Sequence, residues 1–429
     1  VTSDVLARRS PAVAGRTLEA ISTAARAGTD GRQGWEALVE ALESAAGSYV
    51  AVQGPPGTGK THVGSHAVKA LVERGWRVGI TAQSHAVVEN FLAKLVSVGV
   101  RADRVLKEGR KDQDETEVPW TSVSKAAGYS RLEEPGTVLG GTAWTFASQR
   151  TPEFDLLVID EAGQFSLAPL LAASRAARNL LLLGDPQQLP QVSQGIHPEP
   201  LDDSALGWLI GSEHVLPERF GYFLDTTWRM HPELTRRVSA LAYDGRLRSH
   251  EQVTAGRRIE GVTPGLHVRV VDHQDNAVAS PEEADEVLRV VQDLLGRTLT
   301  DENLPAGEQQ RPLTEADVLV VAPYNAQVAL LRTTLERAGL GEVAVGTVDA
   351  FQGQEAPVVV LSMTASARDR VSRGMAFLFD VHRLNVAVSR GQVAAYVVRS
   401  AALTDIAPAS PHDLLTLGAF LELTAESTG

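Results

Sequence analysis

The chain has 429 residues, 43% hydrophobic and 22% charged, with a formal net charge of -13. That length suggests two large domains, and the acidic balance argues against a broadly basic nucleic-acid-coating surface while leaving a local groove open. Zero cysteines exclude disulfides, thiolate zinc sites and iron–sulfur clusters within this sequence, and with no long apolar run or secretory pattern, no membrane association and a cytoplasmic place of action are expected.

Residues 1–45 read as a helical N-terminal lead-in, interrupted near Gly28 to Gly34, with no chemistry of its own. The apolar run Tyr49 to Val52 then enters Gln53-Gly54-Pro55-Pro56-Gly57-Thr58-Gly59-Lys60-Thr61. Beyond it Val63, Ala67, Ala70 and Leu71 share one helical face until Gly75. Strand, glycine-rich loop and helix in this order form the setting of a P-loop. Gly54, Gly57 and Gly59 would let the loop's backbone N–H groups point inward around the β- and γ-phosphates, Lys60 would neutralise charge, and the Thr61 hydroxyl would hold Mg²⁺. A plain glycine-rich turn is the competing reading, and the complete G-x-x-x-x-G-K-[ST] spacing argues against it. ATP and Mg²⁺ are the expected cofactors.

Arg77 to Thr81 reads as a second strand, after which Gln83-Ser84-His85 leads into a helix with Val87, Val88, Leu92 and Leu95 on its apolar side. Ser84 in this place either caps the helix or offers its hydroxyl to an oligonucleotide phosphate, and the cap is the simpler reading. Residues 101–134 carry mixed charge and weak periodicity, so a small, solvated insertion is expected. Thr137 to Thr142 resumes as a strand. Phe154 to Ile159 is a buried-strand pattern ending in Asp160-Glu161-Ala162-Gly163-Gln164, and carboxylates at the C-terminal end of such a strand lie where ligands bind in an open α/β sheet. Asp160 suits the Mg²⁺ shell and Glu161 the attacking water. Leu180 to Leu183 runs into Gly184-Asp185-Pro186-Gln187-Gln188-Leu189-Pro190, where a Gln could sense the γ-phosphate. Two solvated acids and a polar turn are the bland alternatives.

The second half has its own α/β rhythm, with strands expected at His267 to Val271, Val318 to Val321, Val358 to Met363 and Ala394 to Val398. Helices are expected at Glu282 to Leu295 and Asn325 to Ala338, and Gly296 to Pro312 reads as a polar surface loop. His273 reads as structurally satisfied, and Ser389 as a helix residue rather than a nucleophile.

Seven blocks in order carry a resemblance. The P-loop, Asp160-Glu161-Ala162-Gly163-Gln164 and Gly184-Asp185-Pro186-Gln187-Gln188-Leu189 resemble the ATPase motifs of superfamily 1 helicases. Thr227-Trp228-Arg229-Met230-His231-Pro232 is similar to a block of the subclass that includes the nonsense-decay RNA helicases and the lagging-strand nuclease-helicases. Ala322-Pro323-Tyr324-Asn325-Ala326-Gln327, the stretch Gly346 to Glu355, and Leu384-Asn385-Val386-Ala387-Val388-Ser389-Arg390 resemble that subclass's motifs IV, V and VI. The resemblance implies an α/β fold of two tandem RecA-like P-loop domains with parallel sheets, placed at 46–212 and 213–429.

It further implies roles. Lys60, Thr61, Asp160 and Glu161 would serve phosphate, metal and water, and Gln188 the γ-phosphate. Arg229 and Arg390 would act as arginine fingers, Trp228 would stack on adenine, Glu355 would lie near the ribose, and Ser84, His85 and Thr142 would touch a strand backbone. The implied activity is ATP-driven 5′ to 3′ movement on single-stranded nucleic acid, DNA favoured over RNA. Two further readings stay open: a nucleic-acid-stimulated ATPase that clamps without unwinding, and a P-loop enzyme acting on a small molecule. Gln83-Ser84-His85 and Gly140-Gly141-Thr142-Ala143-Trp144 are also similar to bacterial proteins in which a RecB-like nuclease precedes such a helicase, so a nuclease region outside this sequence is expected.

Overall fold

The computed structural model describes residues 1–429 except 16, 22–33, 110–117, 124–128, 191–197, 368–373, 406, 407, 409 and 426–429. The interruption expected near Gly28 to Gly34 lies largely outside the described residues. Two compact units emerge: one holds Val1–Pro55, Gly59–Pro186 and Pro190–Leu224, the other Pro56–Thr58, Gln187–Leu189 and Asp225–Gly429.

The first unit is built on an eight-stranded sheet in the order β4-β3-β5-β2-β6-β7-β1-β8. Its strands are β1 (Tyr49–Gln53), β2 (Val78–Thr81), β3 (Val105–Glu108), β4 (Thr121–Val123), β5 (Val138–Gly140), β6 (Phe154–Ile159), β7 (Ala177–Gly184) and β8 (Gly221–Phe223). Every pairing is parallel. A parallel sheet covered on both faces needs apolar residues pointing both ways, and all five residues of β1 are buried. One face packs on the helices Lys60–Glu73 and His85–Ser97 through Val63, Ala67, Val68, Leu71, Val88, Phe91 and Leu92. The other carries Leu157, Ile159, Leu180 and Leu182 against Phe146, Leu170 and Leu206. The lead-in joins this unit: Leu38 and Leu42 of the helix Gly34–Ser44 enter the first face, and Val5 the second.

The second unit contains short strands and one larger parallel sheet. β9 (Thr226–Thr227) pairs with β10 (Arg248–Ser249), and β11 (Arg258–Ile259), β13 (Thr298–Thr300) and β14 (Gln310–Pro312) form a small antiparallel sheet. The larger sheet runs β12-β18-β17-β15-β16, from β12 (Gly265–Val271), β15 (Val318–Val321), β16 (Ala344–Gly346), β17 (Ala356–Ser362) and β18 (Gly391–Ser400). All its pairings are parallel. Two such sheets are those of two RecA-like α/β domains.

Three expectations change. Residues 101–134 supply β3 and β4 to the main sheet rather than a merely solvated excursion, and Lys107 is buried in an ion pair with Glu89 at 2.9 Å. The first unit continues past 212 to Leu224, because β8 pairs with β1 at Ala51 to Gln53. A Cβ on Gly221 would stand 1.7 Å from the Ala51 carbonyl oxygen, so only glycine lets these backbones approach. Finally, the stretch Gly296 to Pro312 contains β13 and β14 as a hairpin.

Candidate active site

The P-loop joins β1 to the helix Lys60–Glu73, at the end of the sheet where parallel α/β proteins bind ligands. The geometry demands glycine at two positions: Gly57 has φ 75° and Gly59, the residue preceding the helix, φ 81°. The Lys60 Nζ donates to the Gly54 carbonyl at 2.8 Å, so the cation is held against the loop. The helix N-terminus turns its unpaired N–H groups the same way. Gln53, which the sequence reading left without a role, braces the loop's root. Its amide donates to Asp185 Oδ1 at 3.3 Å and to the His214 carbonyl at 3.1 Å, and its Oε1 accepts from Leu216 N at 2.7 Å. The only advance signal was a polar residue ending an apolar strand.

Asp160 follows β6, and Glu161 follows it in the left-handed region with φ 55°. This turn is packed against the end of β7: Ala162 N donates to the Leu183 carbonyl at 2.7 Å, and a Cβ on Gly163 would lie 2.5 Å from the Asp185 carbonyl. Asp160 is 4% exposed. Burial first, then the Glu161 carboxylate, push its pKa up to about 7, against the opposing pull of Lys60 and of the Glu161 N–H, which donates to Asp160 Oδ1 at 3.1 Å. A buried carboxyl beside a like charge is stabilised in its ionised form by added positive charge. With the Thr61 hydroxyl it offers hard oxygen donors, the ligands Mg²⁺ takes from a protein when phosphates complete its shell. The residues therefore fit that ion. Gln187 and Gln188, at the loop after β7, are both buried.

In the second unit, Arg229 and Glu355 form an ion pair through Arg229 Nε and Glu355 Oε2, while Arg229 Nη1 donates to the Ser389 carbonyl at 3.1 Å. Burial raises the Glu355 pKa, but Arg229, the Gln392 amide at 2.9 Å and Arg257 outweigh it and hold the carboxyl below its usual range. Arg390 is 3% exposed and donates to the carbonyls of Val386 at 3.0 Å and Gln354 at 3.2 Å. Trp228 stacks on His250 with ring centroids 3.8 Å apart. Arg257, absent from the sequence reading, donates to the Trp228 carbonyl at 3.1 Å and to Asp301 at 2.8 Å, fixing the backbone between Trp228 and Arg229. Ser389 is buried with its hydroxyl on the Val386 carbonyl, and His273 lies between Ser366 and Glu283.

Two of the three residues expected to touch a nucleic-acid strand, Ser84 and Thr142, cap helices. Ser84 Oγ accepts from Val87 N at 3.3 Å, and Thr142 shares a capping box with Thr145. His85 opens the helix His85–Ser97.

Comparison with known proteins extends this picture. Two family models, each described as an AAA domain, match residues 32–205 and 205–402. The DNA replication ATP-dependent helicase/nuclease JHS1 of Arabidopsis thaliana is 24% identical over 373 residues, covering 80% of this chain and 26% of that protein. The DNA replication ATP-dependent helicase/nuclease DNA2 of Mus musculus is 26% identical over 382 residues, covering 80% of this chain and 35% of its own length. The chain thus spans about a quarter to a third of these curated relatives. An Arterivirus nonstructural protein 10 (helicase) with DNA is 17% identical, with a TM-score of 0.44 over 86% of this chain and 62% of that one, a likeness too loose to carry weight. Among the described residues, no helix is long and apolar enough to cross a membrane.

Proposed function

We propose that this ATPase core of the superfamily 1 helicase type moves along single-stranded nucleic acid, DNA in preference to RNA, in the 5′ to 3′ direction. The observation that carries the ATPase half is the buried Asp160, with its ionisation opposed by Glu161, beside a P-loop lysine. The choice of DNA rests on the names of the relatives, and the polarity on the resemblance of the second-unit motifs. The nuclease in those names is said of those proteins alone.

The chemistry follows from charge. Lys60 leaves the Gly54 carbonyl for the phosphates of ATP, whose greater negative charge outcompetes a neutral oxygen. Asp160 and Thr61 would hold Mg²⁺, which when bound neutralises charge developing on the phosphates. Glu161, set apart from Asp160 by its own left-handed backbone, orients the attacking water, and Gln188 contacts the γ-phosphate. Arg229 and Arg390 supply the positive charge that phosphoryl transfer needs most, which requires Arg229 to exchange Glu355 for phosphate. Trp228, with one face on His250, offers the other to adenine, and Glu355, once released, can reach the ribose. Making hydrolysis depend on arginines from the second domain couples it to domain closure, and closure to movement.

Duplexes with a 5′ or a 3′ single-stranded overhang test the reading. Displacement from the 5′-overhang substrate alone, dependent on ATP, supports it. Stimulated hydrolysis without displacement favours the clamp, and turnover indifferent to nucleic acid favours a small-molecule substrate.

A further inference from the structure

Most large apolar side chains of this protein are buried, yet Trp144 is 82% exposed. Its place in the fold is specific. β5 and β2 are parallel neighbours with Ile80 opposite Gly140, and Gly141 N donates to the Ile80 carbonyl at 3.0 Å. Ser84 and Trp144 each stand four residues beyond that pair, so both follow strands that end on the side of the sheet that also bears the P-loop and Asp160.

The backbone that presents Trp144 is held from several sides. Thr142 and Thr145 close a capping box, and a Cβ on Gly141 would lie 2.7 Å from the Thr145 hydroxyl. A Cβ on Gly140 would meet Leu92 at 2.6 Å, so β5 lies tight under the helix His85–Ser97. Phe146, two residues on, is buried edge-on against Phe154 at 5.6 Å. These contacts fix one side of the short helix Ala143–Ala147 in the core and leave the indole outside it. An indole on an anchored backbone loses little freedom when a flat partner settles on it.

We infer that Trp144 is a base-stacking platform: one unpaired base of the bound single strand lies on its indole, while polar groups of the same sheet end follow the sugar-phosphate backbone. The inference rests on the proposed single-strand activity and adds to it a residue that grips bases rather than phosphates. It also gives low sequence preference a physical source, since every base has a π-face.

The test measures binding of the full chain to a labelled 20-nucleotide oligothymidylate, and to an abasic oligonucleotide of equal length, by fluorescence anisotropy. Trp144→Ala is expected to weaken oligothymidylate binding about tenfold and to leave abasic binding at the wild-type value. Trp144→Phe restores most of the loss, and the slope of affinity against salt stays the same because no phosphate contact is removed. Circular dichroism and the thermal midpoint of both variants match wild type, as suits a side chain outside the core. Equal affinity of Trp144→Ala and wild type for oligothymidylate overturns the inference, as does an equal loss on both oligonucleotides. If the wild-type chain binds neither, the single-strand reading itself has failed and this inference with it; the unmutated protein tells the two failures apart.

Discussion

The two units treat their charges in opposite ways. In the first, Asp160 is buried next to Glu161 and its pKa is driven up to about 7, an arrangement relieved by protonation or, in the ionised form, by added positive charge. In the second, the arginines are already satisfied: Arg229 by Glu355 and the Ser389 carbonyl, Arg390 by two carbonyls on its own side of the fold. The first unit is therefore prepared for a cation and a polyphosphate, while the second must surrender protein contacts before its arginines can act. On the proposed reading, in which Arg229 and Arg390 are the activating groups, hydrolysis is expected to be slow until the second unit rearranges.

The largest effects should come from the first unit. Lys60→Ala and Glu161→Gln are each expected to lower turnover by about a thousandfold or more, through lost phosphate binding and lost water orientation respectively. Steady-state hydrolysis checks both, and near-normal turnover in either would remove the first unit's claim to the chemistry. Arg229→Ala follows, with a loss of about 10²- to 10³-fold in kcat and a small change in KM, as befits a group that acts on the transition state.

Asp160→Asn sharpens the comparison through stability. A carboxyl raised from 3.8 to about 7 costs the folded state its ionisation free energy as pH rises between those values, because the unfolded chain ionises first. The variant should therefore melt higher than wild type at pH 8, with the gap narrowing toward pH 4, even as Mg²⁺-dependent hydrolysis is lost. A midpoint difference that does not change with pH would mean that Asp160 is already neutralised within the fold. Smaller again is Glu355→Gln, which loosens Arg229: kcat without nucleic acid should rise a few-fold while KM for ATP increases. Smallest is Ser84→Ala, expected to cost about 0.5–2 kcal/mol of stability through the lost helix cap, read by chemical denaturation.

How much of this was readable in advance depends on whether a feature is local. The P-loop, the carboxylates after Ile159 and the apolar cores of β6 and β15 follow from contiguous residues, because a glycine pattern or a buried strand leaves its mark within a few positions. β3 and β8 do not. Each is short, and each is a strand only because a neighbour supplies its hydrogen bonds. Lys107 looks like a surface charge until Glu89, eighteen positions earlier, is brought against it. The site divides in the same way: Lys60 and Asp160 announce themselves, whereas Gln53 and Arg257 matter through carbonyls and carboxylates distant in the chain. The caps at Ser84 and Thr142 show a third case, in which one local signal serves equally for a helix start and for a phosphate contact.

The most direct test of stored arginines is single-turnover ATP hydrolysis by wild type and Arg229→Ala, each with and without single-stranded DNA, with Lys60→Ala as the blank. The account predicts that DNA accelerates the wild type strongly, that Arg229→Ala loses most of that acceleration, and that Lys60→Ala is inactive throughout. Equal acceleration in Arg229→Ala and wild type would contradict it, since the charge released on activation would then come from elsewhere.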